Sequence, residues 1–265
     1  MRKLLVEDKL WKLVEPLLPA PKPRRFRYPG RKPLDNRQAL TGILFVLKTG
    51  IAWNDLPQEM GCGSGVACWA RLRDWHQAGV WGQLHAVLLA KLRYADKIDW
   101  SRAAVDATTI RALRGGDKTG KTPTDRGRSG TKDHLLTDAN GVPLAMHATA
   151  ANRHDSTQLM TLVNEVPPVA GKPGHPRRKP SAILADRAYD SQPLREALWA
   201  RGIIPFLAKR GEEHGSGLGA YRWVVERSFA WLKGFRRLRL RYERTAFMHE
   251  AAFTLAACII CFRAL

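Results

Sequence analysis

Acidic residues are scarce in this chain: across 265 residues, 24 Asp and Glu stand against 44 Lys and Arg, a formal net charge of +20. A cation excess of that size repels itself unless an anionic partner offsets it, and nucleic acid is the commonest such partner. Cysteine is scarcer still, with four residues, too few for a disulfide framework at this length. Cys258 and Cys261 form a C-x-x-C, but their neighbours, among them Leu255, Ile259, Ile260 and Phe262, bring no His or Asp. Cys62 and Cys68 lie in a Gly-rich segment equally without histidine. Buried packing, not zinc, is therefore expected of all four. No run of about 18 uninterrupted apolar residues occurs, which argues against a membrane span. Glu7 and Asp8 interrupt the N-terminal apolar run that a secretory signal needs. With 45% hydrophobic residues the chain can bury a core, so it is not a disordered basic tail. These exclusions leave a soluble, intracellular, polyanion-binding protein as the expectation.

The first hundred residues read as helical. Leu10, Leu13, Val14, Leu17 and Leu18 recur at helical spacing and stop at Pro19. Pro16 to Arg37 then hold seven basic residues, one acid and six prolines, an extended basic connector. Asp35-Asn36 can cap a second helix that ends near Gly50, and Ser64 can cap a third carrying Trp69, Arg71, Arg73 and Trp75. A fourth runs from Val80 through Leu92. A helix, a short turn and a helix with outward Arg71 and Arg73 is the pattern of a helix-turn-helix entering a major groove. Trp11, Trp53, Trp69 and Trp75 are expected in the core rather than stacked on bases.

From Ile98 the texture changes. Short β-type runs occur at Ala103–Val105, His134–Thr137, Pro143–Ala148, Ile183–Ala185 and Ile203–Leu207, with helical patterns at Thr157–Val166, Pro193–Arg201 and Tyr221–Phe235. Three strands come first and later ones alternate with helices, which predicts an α/β fold with a mixed sheet. Two breaks interrupt it: Arg111–Asp133, with seven basic residues, and the Pro/basic loop Gly171–Pro180. The division expected is a helical, DNA-binding domain over 1–97 and an α/β domain over 98–265.

Asp106 follows the apolar-small run Ala103-Ala104-Val105, and Asp186 follows Ile183-Leu184-Ala185. An acid on a buried strand is costly to ionise unless a cation meets it, and strand ends in α/β sheets are where ligands bind. An edge-strand Asp facing solvent is the bland reading of Asp106. Asp190, Asp155 and Ser156 are read as helix caps, with His154-Asp155 as a lesser candidate for an acid/base pair. At 100° per residue, Arg222, Glu226, Phe229 and Lys233 fall within about 60° of arc while Val224, Trp231 and Phe235 point away. Two strand-borne aspartates and a helix-borne glutamate can hold two hard cations, and oxygen-only ligands favour Mg²⁺ or Mn²⁺. Arg222, Arg227, Lys233, Arg236 and Arg237 would grip the phosphodiester. His214 and Gly215–Gly219, lacking a P-loop lysine, read as a lead-in to the Glu226 helix.

Asp106 after its strand, Leu184-Ala185-Asp186-Arg187-Ala188-Tyr189-Asp190 and Arg222-Trp223-Val224-Val225-Glu226-Arg227 together resemble the DDE transposases of bacterial insertion sequences, closest to the insertion-sequence-five family. Gly50-Ile51-Ala52-Trp53-Asn54-Asp55-Leu56-Pro57 and Asn152-Arg153-His154-Asp155-Ser156 extend the resemblance nearly end to end. Arg222, Glu226 and Lys233 fit the family spacing Tyr-x₂-Arg-x₃-Glu-x₆-Lys, but Gly219 holds the tyrosine position and Tyr221 comes two residues late. The resemblance implies an RNase H-like catalytic domain, an Asp106/Asp186/Glu226 triad binding two Mg²⁺ or Mn²⁺ ions, and cut-and-join chemistry on the terminal inverted repeats of an element and on target DNA. It also implies a homodimer or higher oligomer on DNA, in the bacterial cytoplasm at the nucleoid. A metal-dependent nuclease without strand transfer and an inert, DNA-binding repressor are the alternatives; the intact acid triad argues against the repressor.

Overall fold

The computed structural model describes residues 5–20, 26–28, 32–211 and 219–265. His214, most of the Gly215–Gly219 lead-in and residues 21–25 and 29–31 of the basic connector lie outside the described residues. Four helices come first: α1 (Asp8–Val14), α2 (Asn36–Thr49), α3 (Gly65–Gln77) and α4 (Val80–Tyr94). Local chemistry sets their ends. The Asp35 carboxylate accepts from Gln38 N at 2.9 Å to open α2, Gly50 closes it in the left-handed region, and Ser64 Oγ accepts from Ala67 N at 3.2 Å to open α3. The connection between α2 and α3 spans residues 50–64 with two 3₁₀ turns, so α3 does not follow the short turn expected of a helix-turn-helix. The tight turn lies instead between α3 and α4, and α4 is buried along Trp81, Leu84, Leu88 and Leu92. Of the candidate DNA-reading side chains, Arg73 is exposed, pairs with Asp74 and lies 5.4 Å over the Trp69 ring, while Arg71 is half-buried.

The four cysteines are free and buried. Cys62 and Cys68 fill the crossing of α2 and α3, where a Cβ added to Gly42 would come within 2.7 Å of Cys68 Sγ. Trp75 is 1% exposed, and Trp11, Trp53 and Trp69 pack against the core, as the sequence predicts.

The sheet has six strands: β1 (Ala103–Arg111), β2 (Gly120–Lys121), β3 (Ser129–Asp138), β4 (Pro143–Ala150), β5 (Ala182–Ala185) and β6 (Ile204–Leu207). The order is β2-β3-β1-β5-β6, with β4 also on β3; β1, β3 and β4 are antiparallel, and β1, β5 and β6 are parallel. This is the RNase H-like mixed sheet. β1 is central, which removes the edge-strand reading of Asp106. β1 and β3 run well past the apolar cores that mark them, so the predicted break before Asp133 is strand from Ser129 onward. Helices α5 (Leu159–Glu165), α6 (Gln192–Trp199), α7 (Gly219–Lys233) and α8 (Ala246–Ala264) flank the sheet.

α8 is apolar on all sides and long enough to cross a membrane by length and composition, yet 72% of its apolar window is buried inside the protein. It lies against α4, α3, α7 and β4. One cluster of buried residues consequently runs from Val6 to Cys261, through both regions of the chain.

Candidate active site

The central position of β1 puts Asp106 beside the end of β5, where Asp186 follows Ala185. Asp106 Oδ1 accepts from the adjoining Ala107 N and Asp186 Oδ1 from Ala188 N, at 2.8 and 2.9 Å. α7 packs over β1 and brings in Arg222, whose Nη2 lies 3.7 Å from Asp106 Oδ2, and Lys233, whose Nζ donates to Thr108 Oγ1 at 2.9 Å. Glu226, between them on the helix, is exposed. Burial pushes the Asp106 carboxyl up to about 6, and the charges of Asp186 and Glu226 push the same way. The Ala107 N–H and the Arg222 guanidinium oppose them. Residues 106, 186 and 226, far apart in sequence, thus share one electrostatic neighbourhood.

Among the described residues, no group of three or more His, Cys, Asp or Glu side chains is placed to hold a metal ion as the side chains stand. The donor chemistry nonetheless fits a hard divalent cation. Every candidate ligand is a carboxylate oxygen, and Asp106 feels the charges of the other two with the Arg222 guanidinium 3.7 Å away.

The remaining cations of α7 and its sequel take other places. Arg227 lies between Trp223 and Trp231, 4.4 and 4.6 Å from their ring centroids, and donates to Asn140 O at 2.6 Å. Trp231 is therefore 41% exposed, whereas Phe229 is buried, the reverse of the arc predicted for these two rings. Arg236 is exposed. Arg237, expected on DNA, is buried: it donates to Glu243 Oε1 at 2.7 Å and to Ile51 O at 2.9 Å, and stacks on Tyr242. Those bonds tie the end of α7 to the loop after α2 and leave the guanidinium unavailable to phosphate.

The predicted caps also change. Asp190 caps no helix; it accepts from Arg195 Nη2 at 2.6 Å and Arg210 N at 2.8 Å. His154 is the cap of the following turn through Nδ1, and Asp155 pairs with Lys132 Nζ at 2.8 Å.

Sequence reasoning missed Tyr189. It is 1% exposed and its hydroxyl has no hydrogen-bond partner. Burial raises its pKa, reinforced by the charges of Asp155, Asp106 and Asp186. Its place right after Asp186-Arg187-Ala188 was the available signal. Also missed were the buried Asp133–His249 pair at 2.7 Å and Asp138, which accepts from Asp99 N, Asn140 N and Val142 N.

Comparison with known proteins gives the family. The family described as "Transposase DDE domain" matches residues 101–261, and "Putative transposase of IS4/5 family" matches residues 6–85. A 16.2 kDa protein of insertion element IS402 from Burkholderia cepacia is 68% identical over 123 residues, 46% of this chain and 84% of that protein. The transposase assigned to IS402 in the same organism is 56% identical over 151 residues, 57% of this chain and 72% of that protein. The Mos1 strand-transfer complex covers 82% of this chain and 78% of its own at 12% identity, with a TM-score of 0.27, a likeness too slight to carry an argument. The chain belongs to the DDE transposase family.

Proposed function

We propose that Asp106, Asp186 and Glu226 are the ligands at which this transposase cuts and joins DNA, holding two Mg²⁺ or Mn²⁺ ions. The observation that carries this is the half-buried Asp106, pushed up to about 6 by desolvation and by the two other carboxylates. Such a cluster is stabilised by a cation and destabilised without one. Bound there, a pair of divalent ions supplies an activated oxygen nucleophile and charge stabilisation for the departing oxygen. The chain's own residues do the rest. Asp106 on β1 and Asp186 just after β5 supply two ligands from the sheet, and Glu226 adds a third from the exposed face of α7. Arg222 and Lys233, held on the β1 side of α7, grip the phosphates next to the bond being cut. Arg222 can hold a phosphate by two bonds.

The DNA partners are the terminal inverted repeats of the element and a target duplex, approached by a homodimer or higher oligomer in the bacterial cytoplasm. α3, with Arg71 and Arg73, is the helix that reads the repeat, and residues 1–97 form the recognition domain against the catalytic domain of 98–265.

Incubation with a duplex carrying an element end and Mg²⁺ tests the reading. Nicked ends followed by joined product are expected. Nicking without joining selects the nuclease, and binding without nicking selects the repressor.

A further inference from the structure

The Pro/basic loop before β5 plays no part in the site above. Residues 172–179 are exposed and include Lys172, Arg177, Arg178 and Lys179. The loop is pinned rather than loose. Val169 and Arg177 exchange backbone hydrogen bonds of 2.8 and 3.0 Å, and the Arg177 guanidinium lies 5.4 Å from the Trp100 ring centroid. Lys179 Nζ donates to Arg201 O at 2.5 Å. Gly171, at φ +105°, lets the chain press on α4 where a Cβ would sit 2.1 Å from Ala90 O.

The pinning leaves one guanidinium over: Arg178 has no hydrogen-bond or ion-pair partner among the described residues. It stands between two adjoining concavities of about 510 and 680 Å³ that share Arg178, Lys179 and Gly202. Arg201 lines the first and Arg177 the second, and no Asp or Glu lines either. The loop enters β5 at its start, whereas Asp186 follows its end. The furrow and the carboxylates thus lie at opposite ends of one four-residue strand, about 13 Å long. A duplex seated on the carboxylates meets the sheet at the end of β5, and the furrow opens at its start.

We propose that the furrow around Arg177, Arg178, Lys179 and Arg201 binds the phosphate backbone of a second DNA duplex, separate from the one held at the carboxylates. A cationic, acid-free surface on a preordered loop suits phosphate contacts that position DNA without reading its bases. This rests on the reading of the carboxylates as the cutting site.

The test loads the full chain with one labelled end duplex at saturation and measures capture of a second duplex of unrelated sequence across a salt series. Arg178→Glu should keep wild-type melting and wild-type single-turnover cleavage of the first duplex. Its capture of the second should fall by about tenfold or more, with a salt slope shallower by about 1; Arg178→Lys should recover most of the loss. Unchanged capture and slope overturn the proposal. So does an equal loss of first-duplex cleavage, which would place the furrow on the path of the DNA being cut. A wild type that captures two duplexes but cuts neither would refute the carboxylate reading and leave the furrow standing.

Discussion

The helical region up to Tyr94 and the sheet region from Ala103 obey different packing rules. In the first, the one buried polar or charged side chain among the described residues is His85, whose Nε2 lies 2.8 Å from Pro143 O. In the second, Asp133, His134, Asp138, Arg237, Arg241 and His249 are all buried. Burying charge costs stability unless each group is paired and hydrogen-bonded. Arg241, 0% exposed, meets that demand with bonds to Thr131 Oγ1, Lys118 O, Glu243 O and Arg244 O. Asp106 does not, since its nearest counter-charge is 3.7 Å away and two further carboxylates crowd it. The contrast separates a buried charge met on every side, Arg241, from acids pushed up to about 6 by burial: Asp138, which has backbone N–H donors alone, and Asp106, which has two further carboxylates beside it.

The largest effects expected are on stability, and they probe how separate the two regions are. Arg241→Met removes bonds to three carbonyls, leaves Glu243 O without a donor, and should cost about 3–5 kcal/mol in urea unfolding. Trp75→Ala, a purely apolar deletion in the helical region, should cost about as much, about 3–5 kcal/mol. Because α8 joins the regions through one core, both variants should unfold in a single cooperative transition; two transitions would break that account. Next come the cations beside the cluster. Lys233→Ala should slow single-turnover cleavage about tenfold or more, near 1.4 kcal/mol, with metal dependence unchanged, and Arg222→Ala should cost more. Wild-type rates for both would make them ordinary surface partners.

A smaller effect is pH-dependent. Burial alone would lower the His249 pKa, but the charge and hydrogen bond of Asp133 outweigh it, so the folded value lies above 6.5. The protonated pair therefore contributes fully below the unfolded value, and its contribution is lost as pH rises through the folded one. His249→Gln should flatten the fall in stability above pH 6.5 expected of the wild type; an unchanged profile would show that the pair does not titrate there. Smallest of all, Arg73→Ala in the exposed Arg73–Asp74 pair should change stability by less than about 0.5 kcal/mol, read by thermal melting.

The sequence was most legible where one physical rule dominates. Strand cores such as Ile183-Leu184-Ala185 and caps such as Asp35 and Ser64 stand where apolar runs and side-chain oxygens predict. The alignment of Asp106, Asp186 and Glu226 followed from strand ends and helix spacing together with a family resemblance. Features set by partners distant in sequence were not legible. β3 extends through Lys132 and Asp133 because Asp155 and His249 meet those charges from other elements. Trp231 faces outward because it stacks on Arg227 rather than entering the core. Arg237 is buried because Glu243 and Ile51 fold around it, and no local pattern separates it from Arg236.

On the function proposed above, a divalent cation relieves the charge that Asp186 and Glu226 place on Asp106. Melting of the wild type and Asp106→Asn at neutral pH, each with and without saturating Mg²⁺ or Mn²⁺, tests it most directly. Because the folded pKa of Asp106 is raised from 3.8 to about 6, its ionised form costs stability as pH rises through that value, by up to about 3 kcal/mol at neutral pH. The account predicts that Asp106→Asn melts higher than the wild type without metal, and that metal raises the wild type but not the variant. Equal melting of the two without metal, with the same response to metal, would contradict it.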